Sequence, residues 1–168
     1  MKELRAAMAK TQLPVYVEPV SSADITDLFQ WRNDVATRRQ SLDTSLIDWE
    51  NHKKWFESMM NDLSQCCLIC KTPTLDQNVG VVRFDMSKQS ANVSINLAPN
   101  LRGQGLGRPC LSVAINRFSE LFEEICCLTA TVRSSNEASL RLFRQIGFEE
   151  TKETRGLVSF CLRLNRVV

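Results

Sequence analysis

The stretch NLAPNLRGQGLGRPCL, Asn96 to Leu111, decides the reading of this chain. Three of its six glycines, Gly103, Gly105 and Gly107, fall here, after a strand-like run and before a helix-like one. A helix N-terminus presents about four backbone N–H groups with no partner inside the helix, and it carries a partial positive charge. A glycine-rich lead-in lets a pyrophosphate reach those amides, here Gly103 to Arg108, without meeting Cβ atoms. A tight strand-to-helix turn would use the same glycines, and the spacing alone does not separate the two readings. RGQGLG lacks the Lys-Ser/Thr of a P-loop, and the unit before it is not the opening strand of a dinucleotide fold.

Working outward from this loop, the patterning alternates between periods of two and of 3.6. Before it come three strand candidates, Gln65 to Lys71, Val79 to Met86 and Ala91 to Leu97, separated by PTLDQN and SKQS, which suggests an antiparallel meander. After it, Leu111, Ala114, Ile115, Phe118, Leu121 and Phe122 recur at helical spacing, with Pro109 in the first turn, where a missing N–H harms least. ICCLTATV, Ile125 to Val132, reads as a strand covered on both faces. Ser134 and Glu137 have capping-box spacing and open a helix that ends at Gly147. Phe148 to Thr151 and Leu157 to Leu164 complete the chain as strands.

Toward the N-terminus, Val15 to Val20 alternates like a short strand, and Ser21 to Asp24 supplies helix-start residues. From Leu46 the sequence LIDWENHKKWFESMMND carries His52, Trp55, Phe56, Met59 and Met60 on one expected helix face. Residues Met1 to Leu13 read as a loose arm or an imperfect first helix. The sequence thus implies an α/β (α+β) domain, its seven strands in a mixed, mostly antiparallel sheet flanked by helices on both faces.

Composition narrows the function. A chain of 168 residues with 43% hydrophobic content is expected to form one domain. Its net charge of +2 and its two isolated basic pairs, Arg38-Arg39 and Lys53-Lys54, argue against nucleic-acid binding. No apolar run approaches the roughly 20 residues of a membrane span, and no signal peptide is legible, so a cytoplasmic protein is expected. The seven cysteines lie mostly in apolar runs and read as buried, reduced thiols without a catalytic role. With a single histidine and one CxxC, no metal site is expected.

Two motifs carry a family resemblance. Arg102-Gly103-Gln104-Gly105-Leu106-Gly107 resembles the acyl-CoA loop Q/R-x-x-G-x-G/A of the GNAT superfamily of N-acetyltransferases. NEASLRLFRQIGF, Asn136 to Phe148, resembles that superfamily's second hallmark, in the correct order. The resemblance covers nearly the whole chain from Val15 and implies the GNAT fold. Inner segments, WRNDVATRRQS, H-x-x-W-F at His52 and GVVRFD at Gly80, are similar to enzymes of the pseudaminic-acid pathway type. Those enzymes acetylate nucleotide-linked amino sugars, and the segments also echo ribosomal-protein N-acetyltransferases.

The implied reaction is attack of a primary amine on the thioester carbonyl of acetyl-CoA, with CoA thiolate leaving. By resemblance, Ile95, Asn96 and Leu97 align pantetheine through their main chain, and Arg102, Gly103, Gln104, Gly105, Leu106, Gly107 and Arg108 hold the pyrophosphate. Asn136, Ser139, Phe143 and Arg144 follow along the cofactor. Phe143 departs from the pattern, since many relatives place there a tyrosine whose hydroxyl protonates the thiolate. Either the thiolate leaves without a dedicated acid, or Ser139, a cysteine or a water supplies the proton.

The candidate bases are Asp85 and His52, with a turn-starting role and a hydrogen-bonded core role as their plainer readings. Arg32, Asn33, Arg38 and Arg83, with Trp55, suit a phosphate-bearing acceptor such as a nucleotide sugar. The competing functions are a protein or peptide N-terminal acetyltransferase and a catalytically silent CoA-binding module. A monomer or a homodimer through the C-terminal strands fits the likeness.

Overall fold

The computed structural model describes residues 14–75 and 77–164, so the N-terminal arm anticipated at Met1 to Leu13 lies outside the described residues. Seven strands run β1 Tyr16–Pro19, β2 Gln65–Lys71, β3 Gly80–Ser87, β4 Ser90–Leu97, β5 Cys127–Arg133, β6 Glu149–Thr154 and β7 Leu157–Arg163. The helices described are α1 Ile25–Asn33, α2 Val35–Gln40, α3 Trp49–Asn61, α4 Gly107–Leu121 and α5 Glu137–Ile146. The sheet order is β1-β2-β3-β4-β5-β7-β6, and among its neighbours only β4 and β5 are parallel. This is the mixed, mostly antiparallel sheet the sequence implied.

Local chemistry explains most boundaries. The Ser21 hydroxyl and amide both donate to Asp24, at 3.0 and 2.8 Å, closing a capping box ahead of α1. The β3–β4 hairpin turns at Lys88 and Gln89, with Lys88 at φ 54°, and the β6–β7 hairpin turns at Arg155 and Gly156, at φ 52° and 75°. α5 ends on Gly147, whose φ of 105° glycine adopts without steric cost.

One sheet face is the main core. Phe84 of β3 stacks on Phe118 of α4 at 4.0 Å, and Phe160 of β7 lies 5.7 Å from Phe143 of α5. The opposite face carries α1 and α3 beside β2–β4, where the Trp55 ring faces Arg83.

Several expectations change. α3 begins at Trp49, capped by the Asp48 side chain, rather than at Leu46, and Met60 turns outward while His52, Phe56 and Met59 are buried. α2 was not anticipated. Leu121 closes α4 at 46% exposure instead of joining the buried stripe. β5 is covered on one face only: Leu128, Ala130 and Val132 are buried, but Thr131 is exposed. The capping box at Ser134 and Glu137 does not form, because Asn136 is the cap and accepts from the Ser139 amide at 3.2 Å. Cys126 is exposed and Cys66, Cys127 and Cys161 are half-buried, so burial covers only part of the cysteine set.

Gly80 opens β3 against the end of β4. A Cβ built there would lie 2.8 Å from the Asn96 carbonyl oxygen and 2.8 Å from Leu97 Cδ2. The first neighbour is backbone and cannot rotate away. Gly80→Ala is therefore expected to cost about 1–3 kcal/mol, read as a lower urea midpoint with an unchanged slope.

Candidate active site

β4 and β5 stay together for three residue pairs, Ser90–Cys127, Ala91–Leu128 and Asn92–Thr129, and then part. β4 remains paired to β3 as far as Leu97, so beyond Asn92 it has one satisfied edge and one open edge. The Leu97 carbonyl accepts from Arg102 instead of from β3. Backbone groups alternate edges along a strand, so Val93 and Ile95 present their N–H and C=O to the same open side. The gap widens into a cleft of about 870 Å³, within the range of small-molecule sites.

The glycine loop closes one end of this cleft. Gly103 and Gly105 have φ of +74° and +77°, and a Cβ at either position would meet no atom within 4 Å. The open space lies outside the protein's own packing, as an anion cradle requires. Among the described residues, no backbone–backbone hydrogen bond outside the regular elements uses an amide of residues 103–108. The α4 dipole adds to their pull on an anion. Across the cleft, Asn136, Ser139, Leu142 and Phe143 of the α5 segment form the facing wall. Open strand edge, loop amides and positive-φ glycines together fit a phosphate-bearing thioester with an extended arm.

Other anticipated cofactor residues sit elsewhere. Arg144 is exposed and donates to Glu150 through Nε at 2.6 Å, away from the cleft lining. Gln104 donates to the Asn100 carbonyl at 3.0 Å, and Leu106 is buried beneath the loop. Asn136 spends its Oδ1 on capping α5. Phe143 is 3% exposed and packs edge-on against Phe148 at 5.1 Å, so it serves the core as well as the wall.

At the other end, His52, Trp55, Cys67, Val81 and Arg83 converge. His52 is buried within an aromatic box, its ring 5.2 Å from Phe29 and 5.4 Å from Trp55. Its Nε2 lies 2.9 Å from the Ile25 carbonyl, which can only accept, so Nε2 carries the proton and Nδ1 keeps its lone pair. Burial pulls the His52 pKa below its ordinary 6.5, against the opposing effect of the Ile25 bond. The imidazole is consequently neutral near pH 7. Asp85 instead pairs with Arg83, Nε to Oδ2 at 3.1 Å, outside the cleft lining. Of the two candidate bases, the structure brings only His52 to the cleft. Burial pushes the Cys67 thiol up to about 12, which removes it as a thiolate nucleophile.

The arginines meant for the acceptor hold a strap of residues 41–47. Arg32 donates to the Asp43 carbonyl at 3.0 Å, Arg38 to Thr44 at 3.2 Å, and Arg133 of β5 to Ser41 at 2.9 Å and Leu42 at 3.3 Å. Asn33 exchanges two bonds with the Ile47 backbone, at 2.8 and 3.0 Å. Arg38 and Asn33 therefore do not line the cleft, whereas Arg32 and Arg83 do.

Sequence reasoning missed Asp34, Thr37 and Arg133. The signal for the first two was present: Asp34 followed three residues on by Thr37 is an N-cap pattern, and Asp34 Oδ2 accepts from the Thr37 amide at 2.9 Å.

Among the described residues, no group of three or more His, Cys, Asp or Glu side chains could hold a metal ion. No helix there is long and apolar enough to cross a membrane.

Comparison with known proteins follows this geometry. The family model described as Acetyltransferase (GNAT) domain matches residues 15–149. Spermidine N-acetyltransferase from Vibrio cholerae, solved with CoA and spermine, superimposes with a TM-score of 0.80 at 13% identity, over 89% of this chain and 95% of that one. N-acetyltransferase PseH from Campylobacter jejuni, also solved with acetyl coenzyme A, gives 0.69 at 22% identity, over 90% and 99%. Ribosomal-protein-alanine N-acetyltransferase from Brucella melitensis gives 0.71 at 26% identity, over 88% and 99%.

Proposed function

We infer the acceptor from one premise: the chain belongs to the acetyltransferase (GNAT) domain family, and it is an acyl-CoA N-acetyltransferase with acetyl-CoA as donor. The acceptor proposed is the primary amine of a nucleotide-linked amino sugar. The observation that carries this reading is the acceptor end of the cleft, where the Trp55 ring stands beside Arg83 and Arg32 also lines the wall; Arg83 shares its charge with Asp85, and Arg32 donates to the Asp43 carbonyl rather than to a carboxylate. A polycation such as spermidine would meet two guanidinium groups there, and a peptide terminus would bring no anion to Arg32. A ring-bearing, phosphate-bearing acceptor can stack on Trp55 and place its phosphate beside Arg32 and Arg83.

Acetyl-CoA supplies an activated acetyl thioester. The amides of residues 103–108 hold its pyrophosphate, and the open edge of β4 at Val93 and Ile95 aligns its arm. His52 Nδ1 takes the proton released by the acceptor ammonium, directly or through one water. The nitrogen forms the new C–N bond as the C–S bond breaks and the electron pair leaves on sulfur. Phe143 offers that sulfur no proton, and a thiolate is a tolerable leaving group without one. Ser139, on the same wall, is the hydroxyl-bearing alternative one helical turn before Phe143.

Release of free thiol from acetyl-CoA, measured with three acceptors, tests the reading. A nucleoside-diphosphate amino sugar should exceed both spermidine and an alanine-ended peptide by roughly tenfold or more in kcat/KM. Spermidine or the peptide as best acceptor would overturn it.

A further inference from the structure

We infer that Arg102 is a positioning residue that ties the α1–α2 elbow to the end of β4, and not a ligand of the donor's pyrophosphate. The first residue of the glycine loop looks like an anion receptor by charge and place, yet its guanidinium is already spent. Nη1 donates to Asp34 Oδ2 at 2.6 Å, and Nη2 donates to Thr37 Oγ1 at 2.6 Å and to the Leu97 carbonyl at 3.2 Å. Nε reaches the same carbonyl at 3.3 Å. Thr37 Oγ1 also lies 3.3 Å from Asn96 Oδ1, closing a ring of Asp34, Thr37, Asn96 and Arg102.

Three features set this apart from an ordinary surface pair. Two of its partners, Asp34 and Thr37, lie more than sixty residues away in the chain, at the start of α2. Asp34 is also the N-cap of α2, so the guanidinium braces a helix start. Partial burial works to raise the Asp34 pKa, but the Arg102 pair and the Thr37 amide bring it below its ordinary value, which keeps the carboxylate charged. A phosphate drawn to Arg102 would have to displace that carboxylate or sit beside it. Neither is favourable.

The functional consequence follows from where the ends of the brace lie. Arg102 adjoins Gly103, and Ala36 and Thr37 of α2 line the cleft. Filling the donor loop therefore steadies α2 through Arg102, and the acceptor wall becomes ordered after the donor is seated. This holds for any acceptor.

The test uses the full chain, with CoA as probe and without turnover. Wild-type protein should show slower amide exchange at residues 103–108 and at α2 when CoA binds. In Arg102→Ala, CoA affinity by calorimetry should stay within about threefold, the loop should still be protected, and the CoA-dependent slowing at α2 should vanish. Asp34→Asn, which removes the ion pair with little change of shape, should weaken the same α2 response. It also decides the matter if Arg102→Ala does not fold. A loss of CoA affinity of roughly tenfold or more in Arg102→Ala, with normal affinity in Asp34→Asn, would make Arg102 a pyrophosphate ligand. Unchanged α2 protection in the variants, or none in wild type, would equally overturn the proposal.

Discussion

Gly105→Val is expected to lower acetyl-CoA affinity by roughly a hundredfold or more, equivalent to about 2.8 kcal/mol, while the domain stays folded. Gly105 sits at φ +77°, where a side chain with a Cβ is strained by roughly 1–2 kcal/mol. That strain alone is well below the stability of an ordinary domain. A Cβ there touches nothing in the protein, so the added branches occupy only the space in front of the loop amides. The loss should thus appear in titration calorimetry and scarcely in the far-ultraviolet spectrum. Wild-type affinity in the variant would remove the loop from the donor site.

The second large effect is expected from His52→Gln. Glutamine can keep the hydrogen bond to the Ile25 carbonyl and fills much of the same space, but it cannot accept a proton near neutrality. With the best acceptor found, turnover should fall by roughly a hundredfold or more, with acetyl-CoA affinity unchanged. Turnover within about threefold of wild type would leave His52 as a core residue only.

The same substitution has a signature in stability. Folding lowers the His52 pKa, so below pH 6.5 the unfolded chain takes up the proton first. The stability this group contributes is complete above pH 6.5 and is lost as the pH falls through the lowered native value. His52→Gln should therefore show a shallower acid decline in melting temperature than wild type.

Where the sequence was readable, one physical signal dominated. Gln65–Lys71 matches its observed strand end to end, the strand at Gly80 shifts by one residue and the strand ending at Leu97 starts one residue earlier, because alternation is strong and the turns between them are short. The glycine loop and α4 were legible for the same reason: glycine and proline have few other uses there. Helix starts were harder. Ser134 and Asn136 compete as caps two residues apart, and only the backbone direction decides for Asn136.

Long-range polar partners were not legible at all. Nothing in WRNDVATRRQS distinguishes an arginine that will hold strap carbonyls, such as Arg38, from one that faces an acceptor, because that choice depends on residues brought in from β5 and the loop before α3. His52 lay between two readings for a related reason. It is both buried in aromatic contacts and part of the cleft lining, and periodicity reports only the burial.

The parting of β4 from β5 also leaves an unsatisfied strand edge, and its place in the fold decides what can reach it. Such edges recruit strands from other chains and seed aggregates, which is why they are usually shortened, charged or covered at the rim of a sheet. The rim strand here follows that pattern: β6 is exposed throughout and carries Glu149, Glu150, Lys152 and Glu153. The open edge of β4 needs no such charges, because it lies in mid-sheet, with the α5 wall on one side and the strap tied to Arg133 near its mouth. An edge enclosed in this way is offered to whatever enters the cleft and not to a strand approaching from the rim.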